Sequence, residues 1–294
     1  MRKFAILLVL AGAAVHSARA QNNGLSVELE LDQKQYLPEE DMQVKVTIVN
    51  RSGQPVLLGT DKQWITFDVI GEHQYIVPRL GEMSAKNPFT LLSGQSVTKV
   101  FNPAPYFDFR RTGSYSLGAI VKVPQWKQEV PCRPVLFTVA PGSPLPYMAE
   151  MTFGVPPPPG VTNAAPNVRH YSLLRVTYLD QMKLYFRLTD GGGHTLRVFP
   201  LARMVDFREP EAQMDRANSL HVLFQTGARI FTYCVVDPNG NLLARQYHEY
   251  TQSRPSLHLS DDGRIFVGGG QRRPTWNDIP APAPAPVSAT VKSQ

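Results

Sequence analysis

From Leu25 the chain alternates: Leu25, Val27, Leu29 and Leu31 are apolar, and Ser26, Glu28, Glu30 and Asp32 are polar. Successive side chains of a strand point to opposite faces, so a period of two predicts one face in a core and one in water. The alternation returns with Met42, Val44, Val46 and Ile48, then breaks at Asn50-Arg51-Ser52-Gly53-Gln54-Pro55, a run of turn formers. Similar runs at 64–70, 75–80, 96–101, 115–123 and 135–139 make seven short strands, the pattern of a sandwich of two antiparallel sheets.

Before the sixth run stands Asp108-Phe109-Arg110-Arg111-Thr112-Gly113-Ser114-Tyr115, a Tyr entering a strand just after a Gly turn. A tyrosine corner has this setting, and its hydroxyl bonds back to nearby backbone. Tyr36-x-Pro38-x-Glu40 leads into Val44-x-Val46-x-Ile48-Val49-Asn50, and Gly113-x-Tyr115-x-Leu117 follows later. With these carriers, residues 25–140 resemble a bacterial immunoglobulin-like, macroglobulin-type domain, in a chain resembling two-domain secreted bacterial proteins. Such domains often have Gly where Glu39 stands. The resemblance implies a fold and no activity.

Gly154-Val155-Pro156-Pro157-Pro158-Pro159-Gly160 reads as a stiff extended spacer, since four successive Pro fit neither a helix nor an inner strand. Residues 141–166 are therefore expected to link the first module to a second antiparallel β domain at 167–276. There Leu184, Phe186, Leu188, Asp190, Gly193 and Leu196 recur 47 positions later as Phe231, Tyr233, Val235, Asp237, Gly240 and Leu243. Each copy predicts a strand, an Asp-to-Gly turn and a return strand, a quasi-repeat like a β-propeller blade, although two copies cannot close a ring. Asp237-Pro238-Asn239-Gly240, Asp261-Asp262-Gly263 and Gly191-Gly192-Gly193 read as hairpin turns, because calcium and phosphate loops need ligands or a helix that do not follow. The alternating Ala-Pro of 277–294 predicts a disordered tail.

Composition changes the picture at the N-terminus. Met1-Arg2-Lys3, an apolar run from Phe4 to Val15, and Ala18-Arg19-Ala20 make residues 1–20 a signal peptide cleaved before Gln21, which places the mature protein in the periplasm or outside the cell. No later stretch is apolar enough for a transmembrane helix. Without Arg2, Lys3 and Arg19, 27 basic side chains face 24 acidic ones. The two cysteines, Cys132 and Cys234, are either buried thiols or a disulfide closing a long loop.

Residues 25–140 hold 12 basic and 12 acidic side chains, and 165–276 hold 14 and 10, so the positive excess belongs to the second module. Lys183 is the one basic residue there that is not Arg. Arginine grips carboxylate, phosphate or sulfate with a flat fork. Arg229, Arg245, Arg254, Arg272 and Arg273, with Trp276, are candidates for a face that binds a partner or an anionic polymer; the competing reading pairs them with carboxylates inside the domain. The imbalance is too mild for a nucleic-acid partner. Glu39-Glu40-Asp41 reads as a solvated acidic turn and Trp64 and Trp126 as core or strand-edge cover. His170, His194, His221, His248 and His258 have no metal-ligand spacing, and no cofactor motif is present.

These residues contain no nucleophile elbow, Cys-His pair, Walker loop or zinc signature. The expectation is a non-catalytic exported protein that binds an envelope protein or an anionic polysaccharide through loops and strand edges. The alternative is a carbohydrate-active hydrolase with a carboxylate pair drawn from Asp180, Asp190, Asp206, Glu209, Asp215 and Glu249.

Overall fold

The computed structural model describes residues 24–145, 150–157, 166–205 and 207–280. Their regular elements are strands, apart from three short 3-10 turns. The segment expected to be a signal peptide, 1–20, lies outside the described residues. The protein is all-β, an immunoglobulin-like sandwich joined to a second antiparallel β domain.

The sandwich runs β1 (Leu25–Leu31), β2 (Gln35–Tyr36), β3 (Val44–Asn50), β4 (Val56–Leu58), β5 (Ile65–Gly71), β6 (Phe89–Leu91), β7 (Ser96–Phe101), β8 (Gly113–Val123), β9 (Gln128–Pro131) and β10 (Val135–Val139). One sheet has the order β1-β3-β7, the other β2-β10-β8-β5 with β9 beside β8, and β4 pairs with β6. Strict alternation puts Val44, Val46 and Ile48 of β3 against Tyr115, Leu117, Ala119, Val121 and Val123 of β8 in one core. The tyrosine corner is formed: Tyr115 Oη donates to Arg111 O at 2.6 Å. Trp64 is in the core with its indole N–H on Ala85 O, and Trp126 packs against that core.

Two readings of this half need correction. The strand expected at 75–80 is only a covering segment that touches β5 by an isolated bridge, Ile70 to Ile76, and Phe107 by another at Arg79. His73 and Gln74 turn the chain back through left-handed φ, and Pro78 has no N–H with which to extend a ladder. Nor is the acidic turn wholly solvated. Glu40 is 4% exposed, its carboxylate accepts the Leu37 N–H at 2.7 Å and the Gln33 amide, and Glu39 takes the left-handed conformation, φ 64°, which Gly adopts with less strain.

The second domain runs β11 (Ser143–Pro144), β12 (Met151–Val155), β13 (Asn167–Tyr178), β14 (Gln181–Asp190), β15 (Thr195–Met204), β16 (Glu211–Met214), β17 (Leu220–Gln225), β18 (Ile230–Val236), β19 (Leu242–Glu249), β20 (Ser256–Leu259), β21 (Ile265–Gly268) and β22 (Gln271–Arg272). One sheet is β11-β13-β14-β15 with β12 beside β13, the next β16-β17-β18-β19-β22, and β20-β21 form a covering hairpin. Leu173, Leu184, Phe186 and Leu188 pack against Leu220, Val222, Phe224 and Val236 between the two sheets. Leu223, Phe231 and Tyr233 on the far side of the second sheet pack under Leu257 and Ile265 of the hairpin. Covered on both faces, β17 is buried at all six positions.

The linker reading fails for a local reason. Met151, Phe153 and Val155 carry the same alternation as other strands, and β12 pairs with β13 from Met151↔Tyr171 to Val155↔Asn167. The prolines thus fall in a connection within one sheet; Pro158 and Pro159 are outside the described residues. The disorder expected of 277–294 is contradicted at its start: Ile279 exchanges both backbone hydrogen bonds with Arg245 at 2.9 Å, and Asp278 is buried against Arg272. The Ala-Pro run from 281 lies outside the described residues.

The 47-residue repeat is real and finer than it reads. Residues 190–194, 215–219, 237–241 and 260–264 close as the same five-residue turn, in which the first N–H bonds the fifth carbonyl and the fourth N–H bonds the first carbonyl. The fourth position is left-handed each time: Gly193, Asn218, Gly240 and Gly263. Asp190, Asp215 and Asp237 each accept the third and fifth backbone N–H groups. Every second turn of one meander is therefore alike, and all four lie at the same end. Arg169 on Pro238 O and Tyr171 on Asn218 O tie that end of the two sheets together.

The domains share a seam. Leu37 of the first packs with Leu174, Val176, Tyr185 and Val198 of the second. Beside them the Gln33 carbonyl accepts Lys183 Nζ at 2.9 Å and Tyr185 Oη at 3.3 Å, and Arg197 meets Asp41 at 3.5 Å. Cys132 and Cys234 are both free and buried, one in each domain's core, so the disulfide alternative is not formed. Burial pushes the Cys234 thiol up to about 12.

Candidate functional site

The arginines singled out in the sequence do not gather as a free anion-binding face. Arg229 donates twice to Tyr250 O, Arg254 meets Glu211 and lies over the Phe231 ring, Arg272 grips Asp278 and Tyr247 O, and Arg273 is 3.6 Å from Glu249. Arg245 lies against the Cys234 thiol. Three of the five forks thus meet carboxylates, while Arg229 and Arg245 are held by a carbonyl and a thiol. Trp276 stands out in solvent, 87% exposed, and Arg229 and Arg273 are exposed beside their partners.

The carboxylates are similarly accounted for. Asp190 and Asp215 hold turns, Glu249 pairs with Arg273, and Asp180 and Glu209 are exposed. Asp206 lies outside the described residues. No group of three or more His, Cys, Asp or Glu among the described residues is arranged to hold a metal ion.

One constellation escaped the sequence reading. His221 on β17 is bonded through Nε2 to Asp215 Oδ2 at 3.1 Å and through Nδ1 to the Tyr233 hydroxyl of β18 at 2.6 Å. This Asp-His-Tyr wiring resembles that of an activated nucleophile. Tyr233, however, is 8% exposed beneath the hairpin, and burial pushes its hydroxyl up to about 12. The relay braces a turn against the sheet. Only strand register brings the three together, so no spacing rule could have found them.

A concave surface lies elsewhere, in the first domain. β5 is the last strand of its sheet. Its outer edge is covered from Val69 onward, where Val69 O accepts the Val77 N–H and the Gly71 N–H donates to Tyr75 O. At Phe67 the cover is one side chain: Arg79 Nη2 donates to Phe67 O at 2.8 Å while pairing with Asp68. Beside Ile65 and Phe67 a small apolar crevice of about 40 Å³ opens, with Met83, Tyr106 and Phe107 in its walls and the exposed Glu82 beside them. An edge strand next to an apolar hole is the geometry that accepts an added strand and one anchoring side chain.

No protein-family model matches the chain, and no curated protein matches it. Among solved structures it is similar to Spo0M, the sporulation control protein from Bacillus subtilis, at 10% identity over 62% of this chain and 90% of that one, with a TM-score of 0.30. At that level the likeness carries no argument about fold or function.

Proposed function

We propose that this is an exported, non-catalytic binding protein that takes up an extended segment of an envelope protein along the open half of β5. The observation that carries this reading is the crevice itself, where the edge of Ile65 to Phe67 borders an apolar hole and a single guanidinium replaces a neighbouring strand. Backbone pairing supplies affinity in such binding, and the hole selects one apolar side chain. The hydrophobic leader supports export. The turn and ion-pair roles of the second domain's carboxylates favour binding over glycoside hydrolysis, which requires two carboxyl groups facing one cleft. The pairing of Arg254, Arg272 and Arg273 with carboxylates likewise favours a protein partner over an anionic polysaccharide.

Selection of random dodecapeptides displayed on phage against the exported chain tests the reading. Peptides with alternating apolar positions should be enriched, and Met83→Lys, which puts a charge into the wall of the crevice, should abolish the enrichment. Failure to enrich, or enrichment indifferent to that substitution, would refute it.

A further inference from the structure

The four like turns occupy one end of the second domain; among the described residues the other end is built from 179–180, 207–210, 226–229, 250–255 and 269–270. Hydrogen bonds hold these loops side by side: Val205 N to Gln225 O, Tyr250 N to Arg229 O, Arg254 to Glu211. From this end project Leu179, 83% exposed, Phe207, 70% exposed, and Tyr250; Trp276 stands at its lateral edge, just past β22. Aromatic and leucine side chains exposed on several loops of one end can act as the apolar anchors of an interface. Leu179 is unusual in its backbone. It holds a left-handed φ of 53° at a hairpin turn, a position Gly or Asn occupies with less strain, and its side chain points outward.

Two observations indicate what covers this end. Its charges balance in number, with Arg254 on Glu211, Arg272 on Asp278 and Arg273 on Glu249, and the exposed Arg208 and Arg229 offset by the exposed Asp180 and Glu209, so it has no large excess of one sign to attract an anionic surface or to repel its own copy. Four strand spacings from β16 to β22 and three layers of structure give a footprint of roughly 20 by 30 Å, near the lower limit for a stable protein pair. We propose that two copies of the chain meet here, loop end to loop end about a two-fold axis. A self-facing patch needs apolar tips and internally balanced charge, and this end has both. The dimer leaves the β5 crevice of each copy open and uses none of its residues, so this proposal and the peptide-binding one stand or fall separately.

Sedimentation velocity on the exported chain tests it. The wild type should pass from monomer to dimer between about 1 and about 100 µM. Leu179→Ser, Phe207→Ser and Trp276→Ser combined, all at exposed positions, should be monomeric across that range with an unchanged circular dichroism spectrum. Leu179→Asn alone, which relaxes the turn, should weaken association about tenfold while folding normally. A wild type that is monomeric throughout, a dimer indifferent to the substitutions, or a monomer that sediments with phosphatidylglycerol vesicles instead overturns the proposal.

Discussion

Glu40 sits with one carboxylate oxygen on the Leu37 N–H and the other on the Gln33 amide, and burial pushes its pKa from 4.5 to about 8. A raised folded-state pKa means that the native protein holds its proton after the unfolded chain has released it. The stability this provides is complete below pH 4.5 and is lost as pH rises through about 8. The urea midpoint of the wild type is therefore expected to fall between about pH 5 and about pH 9, and Glu40→Gln to flatten that fall. An equal pH slope in both proteins would show that another group carries it. Single residues also mark what was legible beforehand. Tyr115 could be read, because a Gly turn before an aromatic strand entry fixes a local bond. Glu40 could not, because its carboxylate is held by the Gln33 side chain, seven positions away, and nothing local marks it for burial.

At the scale of elements, the recurring turn explains why the 47-residue offset was visible while the shorter one was not. Asp190 and Asp237 share both the Asp and the Gly, whereas the intervening turn has Asn218 in the left-handed position and the last begins with Ser260. Equal geometry with unequal residues hides a repeat. The same comparison separates two contributions to the stability of a turn. Gly193 has φ +83° and open space where a Cβ would stand; Gly240 has φ +79°, and a Cβ there would meet Arg197 Cγ at 2.7 Å. Gly193→Ala should cost about 1 kcal/mol from backbone strain alone, and Gly240→Ala more, because Arg197 must also shift from its place beside Asp41. Chemical denaturation of the two variants checks the difference. The prolines misled at this scale because their strand-breaking chemistry was assigned to a boundary between domains, when Phe153 on one side and Asn167 on the other belong to the same sheet.

For the whole molecule, Leu37 and Gln33 turn two cores into one unit. A seam of four buried side chains around Leu37, with two hydrogen bonds to one amide beside it, resists separation better than a chain of prolines would. Calorimetry of the wild type is expected to give one cooperative transition, and Leu37→Ala with Gln33→Ala to split it in two as the domains lose their coupling. Two transitions in the wild type would mean that the seam does not transmit stability. Sequence could not reveal this seam, since Leu174, Val176 and Val198 have the pattern of any half-buried strand and nothing local names the surface they face.

The connection from residue 156 to 166 leaves β12 and returns into β13, two strands already zipped together over five residue pairs. Lengthening such a connection adds only the slowly growing entropy of a longer closed loop. That makes it a natural point for grafting a tag, an epitope or a whole foreign module, displayed on a stalk whose two feet are bolted to the same sheet.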